Sequence, residues 1–138
     1  MEPTAILQPV IVLGLWTVVV FVWMMATRAP AMQKAGIKIQ DAKHPRQMKL
    51  PSQVIQVSDN YNHLFEQPTL FYAIAISIAV LGHGDALNVQ LAWAFVLLRI
   101  IHSVVQGTIN IVAVRFSLFA LAWVVLAAMV IRETLRIF

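Results

Sequence analysis

Hydrophobic positions gather into four runs, residues 6–27, 64–81, 89–105 and 111–131. Each is about the length a helix needs to cross a hydrocarbon core of about 30 Å at about 1.5 Å per residue. The first run has only Gln8 and Thr17 as polar interruptions, and Pro9 falls in its first turn, where a missing N–H does little harm. Between the second and third runs, "GHGDALN" (82–88) supplies two glycines and Asp85, a turn signature. Between the third and fourth lies the equally short "QGTIN" (106–110). Short connections imply antiparallel neighbours. The pattern predicts an all-α fold, an integral-membrane four-helix antiparallel bundle in a single domain.

One connection is long, residues 28–57. Pro45 and Pro51 make its first half a loop, and the second helix is expected to start soon after Pro51. That helix would run for about thirty residues, its first turns in water or headgroups, with a bend at Pro68.

Composition agrees. Of 138 residues, 60% are hydrophobic and 12% charged, with a mean hydropathy of +0.79; soluble domains hold roughly twice that share of charge. There is no cysteine, which excludes disulfides and cysteine-bound metals. The first run lacks a basic leader and is read as a span rather than a cleavable signal. The net charge of +4 hides an asymmetry. Arg28, Lys34, Lys38, Lys43, Arg46 and Lys49 all fall in the long connection, and Arg115 lies on the same side; Arg132 and Arg136 lie on the other. The positive-inside rule then places the long loop in the cytoplasm and both termini opposite. Anionic headgroups explain its charge better than nucleic acid does, for no nucleic-acid signature is present.

Ionisable groups within spans are costly, about 2.5–3.5 kcal/mol each on insertion scales, so their positions inform. Arg28 ends the first span, Glu66 begins the second, Arg99 and His102 close the third, and Arg115 opens the fourth. All lie at the cytoplasmic level, and the opposite halves hold almost none. Asp59, Asn62, His63 and Glu66 share one helical stripe at i, i+3, i+4, i+7, and Arg99, His102, Gln106 and Asn110 share another if their helix reaches Asn110. Arg115 shares a face with Phe119 and roughly with Trp123. Such stripes must face one another or a neighbouring subunit rather than lipid. Two readings follow. Glu66 pairs with Arg99 or Arg115 as structural glue, or the layer is a site whose surplus of guanidinium binds a carboxylate-bearing ligand. His83 and His44 read as exposed turn and loop residues, the tryptophans as core or interface anchors. The four histidines show no spacing for a metal.

"SDNYNHLFEQPTLFYA" (58–73), "LRIIHSVVQGTIN" (98–110) and "RFSLF" (115–119) together resemble the signatures of the MAPEG proteins, membrane-associated proteins in eicosanoid and glutathione metabolism, and especially their bacterial branch. The resemblance implies a homotrimer in a bacterial inner membrane, with glutathione held between subunits near the cytoplasmic face. It implies that Arg28, Asn62, His63, Glu66, Arg99, His102 and Gln106 form the ligand site. Arg115 is implied to stabilise the thiolate for transferase or peroxidase chemistry on a lipophilic small molecule. The chain departs from the pattern at His63, where Asn is expected. Asp59 and Asn62 stand where glutathione-using members often have Arg, and Gln106 and Phe119 replace tyrosines. The alternative is a non-catalytic scaffold or accessory subunit, with the polar layer as glue.

Overall fold

The computed structural model describes residues 4–138. Five helices follow in order: α1 (Leu7–Lys34), α2 (Ser52–His63), α3 (Gln67–Val80), α4 (Ala86–Gly107) and α5 (Val112–Ile137), with short 3-10 turns at Ile39–Lys43 and Pro45–Gln47 inside the long loop. Four units are long and apolar enough to cross a bilayer: α1, α2 with α3, α4, and α5. The chain is a multi-pass integral membrane protein.

One inner stripe per helix makes the core. Leu13 and Val20 supply it from α1, Phe71, Ala75 and Ile78 from α3, Ala92, Phe95 and Val96 from α4, and Ala122, Leu126 and Met129 from α5, all fully buried. Their spacings of three, four and seven are those of a single helical face. Phe71 and Phe95 stack at 4.5 Å between ring centroids, fixing α3 on α4. The outer faces stay apolar and exposed, as with Ile11, Leu15, Val18 and Val22 on α1 and Val124, Ile131 and Leu135 on α5. In lipid those faces need no cover, and packing of the inner stripes carries the assembly.

The second span is two helices. The expected bend at Pro68 is a break: α2 stops at His63, Glu66 takes φ −93°, ψ −97°, and α3 restarts at Gln67 with Pro68 in its first turn. A fresh start answers the proline better than a kink, because a first-turn residue has no intrahelical N–H bond to lose. The Thr69 hydroxyl and N–H both donate to the Glu66 carbonyl, at 2.5 and 3.1 Å. Helix α4 ends at Gly107, so Asn110 leaves its stripe and takes a left-handed φ of 50°, which asparagine tolerates better than most residues.

The far end of the bundle, away from the basic loop, is more polar than expected. Gly82 (φ 72°) lets His83 N–H reach Ile78 O at 2.9 Å and its own N–H reach Ala79 O at 3.1 Å, closing α3 in a Schellman motif. His83 is not an exposed turn residue: its Nδ1 bonds Glu133 of α5, a carboxylate only 2% exposed. Asp85 caps α4 by accepting from Asn88 N–H at 2.9 Å, and it holds Arg132 at 2.9 Å and Arg136 at 3.3 Å. That N–H bond first, and the two guanidiniums after it, lower the Asp85 pKa below its usual 3.8. A depressed carboxylate contributes stability above its unfolded pKa and loses it as pH falls through the folded one. Asp85→Ala is therefore expected to cost about 1 kcal/mol near neutral pH. Its unfolding curve should merge with the wild type in strong acid, measured by circular dichroism in detergent; an equal deficit at all pH values would refute this.

Candidate functional site

At the basic-loop end the inner stripe of α4 turns polar. Over the three turns beyond Val96 come Arg99, His102, Ser103 and Gln106, all buried, with Arg99 2% exposed. Arg99 Nη2 donates to the His63 carbonyl at 3.2 Å, at the end of α2, where that oxygen also accepts from Glu66 N–H at 3.3 Å. His63 Nδ1 meets Gln106 Oε1 at 3.0 Å; an amide oxygen only accepts, so in this contact Nδ1 is the donor. One helical repeat back from His63, Gln56 Nε2 donates to the carbonyls of Gly107 and Thr108 at 3.3 and 3.0 Å, closing the end of α4. Asn110 then links three helices: its Nδ2 donates to Gln56 Oε1 at 3.1 Å and its Oδ1 accepts from Arg115 Nη1 at 2.6 Å. The left-handed turn at Asn110 thereby aims the guanidinium of α5.

These side chains frame a cleft of about 280 Å³. Its polar wall is His63, Glu66, Gln67, Arg99, His102 and Arg115; its apolar wall is Val112, Phe116 and Phe119 of α5. Glu66 is exposed, and among the described residues it forms no ion pair with Arg99 or Arg115, contrary to the pairing expected of structural glue. Three buried polar atoms of the lining residues have no partner among the described residues: Arg99 Nε, His102 Nδ1 and Gln67 Oε1. Two guanidiniums against one carboxylate leave a positive balance in a low-dielectric setting, an arrangement suited to an anion.

Not every expected site residue is here. Arg28 and Asn62 line a separate, larger cleft of about 730 Å³ between the long loop and α2, with Lys43, His44, Arg46, Ser58 and Asp59. The stripe read from Asp59 to Glu66 is thus divided. Asp59 and Asn62 face the loop, whereas His63 and Glu66 face α4 and α5. Gln106 is held behind His63 rather than on the lining. Gln67 and Gln56 are the side chains of this layer that sequence reasoning missed; Asn110 was read as a member of the α4 stripe, but its bridge from Gln56 to Arg115 was not foreseen. Gln56 sits seven residues before His63 on the same face, and Gln67 directly follows Glu66; each was a readable signal. Among the described residues, no cluster of His and acidic side chains could hold a metal.

The chain matches no curated protein and no solved structure. The sequence model of one family, the MAPEG family, matches residues 6–133, nearly the whole chain. The helical architecture, the polar layer at the basic-loop end and this match agree, and the chain belongs to the MAPEG family.

Proposed function

We propose that the protein is a glutathione- or thiol-dependent transferase or peroxidase acting on lipophilic substrates at the membrane face. The observation that carries this reading is the cleft at Arg99 and Arg115. A guanidinium 2% exposed, with no carboxylate among the described residues paired to it, is poorly explained as glue and well explained as half of an ion pair completed by a ligand. Arg99 would hold a ligand carboxylate. Arg115, aimed by Asn110, would lower the pKa of a thiol placed beside it. The apolar wall of Val112, Phe116 and Phe119 would seat the lipophilic partner. Bound glutathione would supply a thiol that, once ionised, adds to an electrophile or reduces a peroxide.

In this reading the protein is a homotrimer in a bacterial inner membrane, with the basic loop cytoplasmic and both termini opposite. Arg28 and Asn62, on the other side of α2, then serve the neighbouring subunit's cleft, which accounts for their separation from Glu66. The test is calorimetric titration with glutathione, with thiolate absorbance followed in the ultraviolet. Heat of binding and a thiolate band that is lost in Arg115→Ala are expected. Silence in both would sink the enzyme.

A second reading has its own support. The bonds from His63 to Gln106 and from Gln56 and Asn110 across the helices stitch α2, α4 and α5 together, as a scaffold or accessory subunit would need. On that reading, loss of any one of these groups should cost stability and nothing else.

A further inference from the structure

The larger cleft, about 730 Å³ between the long loop and α2, has a lopsided charge. Arg28 of α1 and Lys43 and Arg46 of the loop line it against one carboxylate, Asp59 of α2. Among the described residues none of these four takes part in an ion pair. His44 adds a ring N–H, a donor in either tautomer. The loop is built to hold its shape. Asp41 accepts from Lys38 N–H at 3.0 Å, and the two 3-10 turns stand on either side of His44, carrying Lys43 and Arg46. Met48 and Leu50 of the loop and Ile55 of α2 complete the lining, so it is part cationic and part apolar.

The cleft also lies at a telling level. Arg28 is the first charge after an apolar stretch that begins at residue 9, so the cleft opens where α1 leaves hydrocarbon. The loop that forms its other wall carries Ile39, 91% exposed, between Lys38 and Lys43. An exposed apolar side chain among lysines suits a segment lying on an anionic membrane surface. A soluble anion would use the cations alone. The apolar lining and the membrane level single out an amphiphile.

We propose that this cleft binds one anionic phospholipid from the leaflet on the basic-loop side. Lys43 and Arg46 hold its phosphate, and the start of its acyl chains lies against Met48, Leu50 and Ile55. Three cations against one carboxylate favour a headgroup without an amine, because an ammonium would meet the surplus positive charge. The site is separate from the cleft at Arg99 and Arg115 and needs no thiol chemistry. Its anchoring pair comes from the loop alone, which leaves Arg28 and Asn62 to the neighbouring subunit.

General attraction of a basic loop to anionic lipid needs only net charge, whereas a site needs particular residues. Two double variants of the full-length protein separate them, each removing two positive charges from the same loop. Lys43→Gln with Arg46→Gln lies on the cleft; Lys34→Gln with Lys49→Gln lies off it. Phosphatidylglycerol and phosphatidylcholine with matched chains would be titrated into a neutral detergent, and retained lipid counted by native mass spectrometry. The wild type is expected to hold phosphatidylglycerol at least about tenfold more tightly, saturating at one lipid per subunit. The cleft pair should lose about that factor, and the off-cleft pair less than about twofold. Equal losses in the two doubles overturn the proposal, because a diffuse field would then account for binding. So does a wild type that holds both lipids alike, or neither. Glycerol phosphate is the soluble arm: if it displaces phosphatidylglycerol at equal concentration, the ligand is a free phosphate and not a lipid. A cleft double that changes the number of subunits and keeps its lipid would assign the cleft to contact between copies, and would overturn the proposal too.

Discussion

Arg99→Met will abolish binding of carboxylate ligands and leave the protein at least as stable as the wild type. Two opposing costs set the outcome. Arg99 is 2% exposed, and among the described residues its Nε has no partner and no carboxylate pairs with it. Its one protein bond, Nη2 to the His63 carbonyl at 3.2 Å, contributes about 1.5–3 kcal/mol at best, as a bond to a charged group. Against that stands the desolvation of a guanidinium, several kcal/mol even after relaxation. Methionine keeps the length of the stem and fills the space with polarisable, uncharged atoms. The exchange should fall between neutral and about 3 kcal/mol stabilising. Thermal unfolding in detergent, read beside glutathione titration, separates the two readings of the polar layer. Structural glue predicts that Arg99→Met melts early; a ligand site predicts lost binding in a protein that melts no earlier. Melting earlier, with binding intact, would remove Arg99 from the site altogether.

How far the sequence disclosed this arrangement can be traced residue by residue. The family signatures in residues 58–73, 98–110 and 115–119 are upheld by the match over 6–133. The stripe of Arg99, His102 and Gln106 was legible because helical spacing of three and four needs no knowledge of neighbours, and all three are buried along one face of α4. Glu66 and Arg115 were legible because charge is rare in spans. Three things were not. The break between His63 and Gln67 depends on whether the chain prefers a kinked helix or a new one, and Pro68 is compatible with either. The separation of Asn62 from His63 depends on where the long loop folds back, since adjacent residues on a helix point about 100° apart. The polar clasp at the far end joins His83 to Glu133 and Asp85 to Arg132 and Arg136, groups about fifty residues apart, and periodicity carries no information about such pairs.

Gly107→Ala will destabilise the protein by about 2 kcal/mol, within the 1–3 kcal/mol usual for overpacking. On propensity alone it should do the reverse, since alanine favours a helix over glycine by up to about 1 kcal/mol. Packing decides otherwise. A Cβ at Gly107 would lie 2.2 Å from Trp23 Cη2 and 2.6 Å from Cζ3, distances that non-bonded carbons cannot hold. The backbone cannot easily retreat, because Gly107 O accepts from Gln56 Nε2 at 3.3 Å and that amide also holds Thr108 and Asn110. The indole of α1 must therefore rotate off the end of α4. The close approach is what lets α1 press on α4 one residue beyond Gln106, the residue that orients His63 at the cleft. Trp23→Phe in the same chain takes away the clashing edge, so the double variant should recover most of the lost stability. A double-mutant cycle from denaturation in mixed micelles should give a coupling of at least about 1 kcal/mol. Additive losses would mean that Trp23 and Gly107 do not touch. Because the displaced indole loosens the end of α4, Gly107→Ala should also weaken ligand binding, and Trp23→Phe should restore both properties together. Recovery of stability without recovery of binding would show that the α1–α4 contact does not set the geometry of the site.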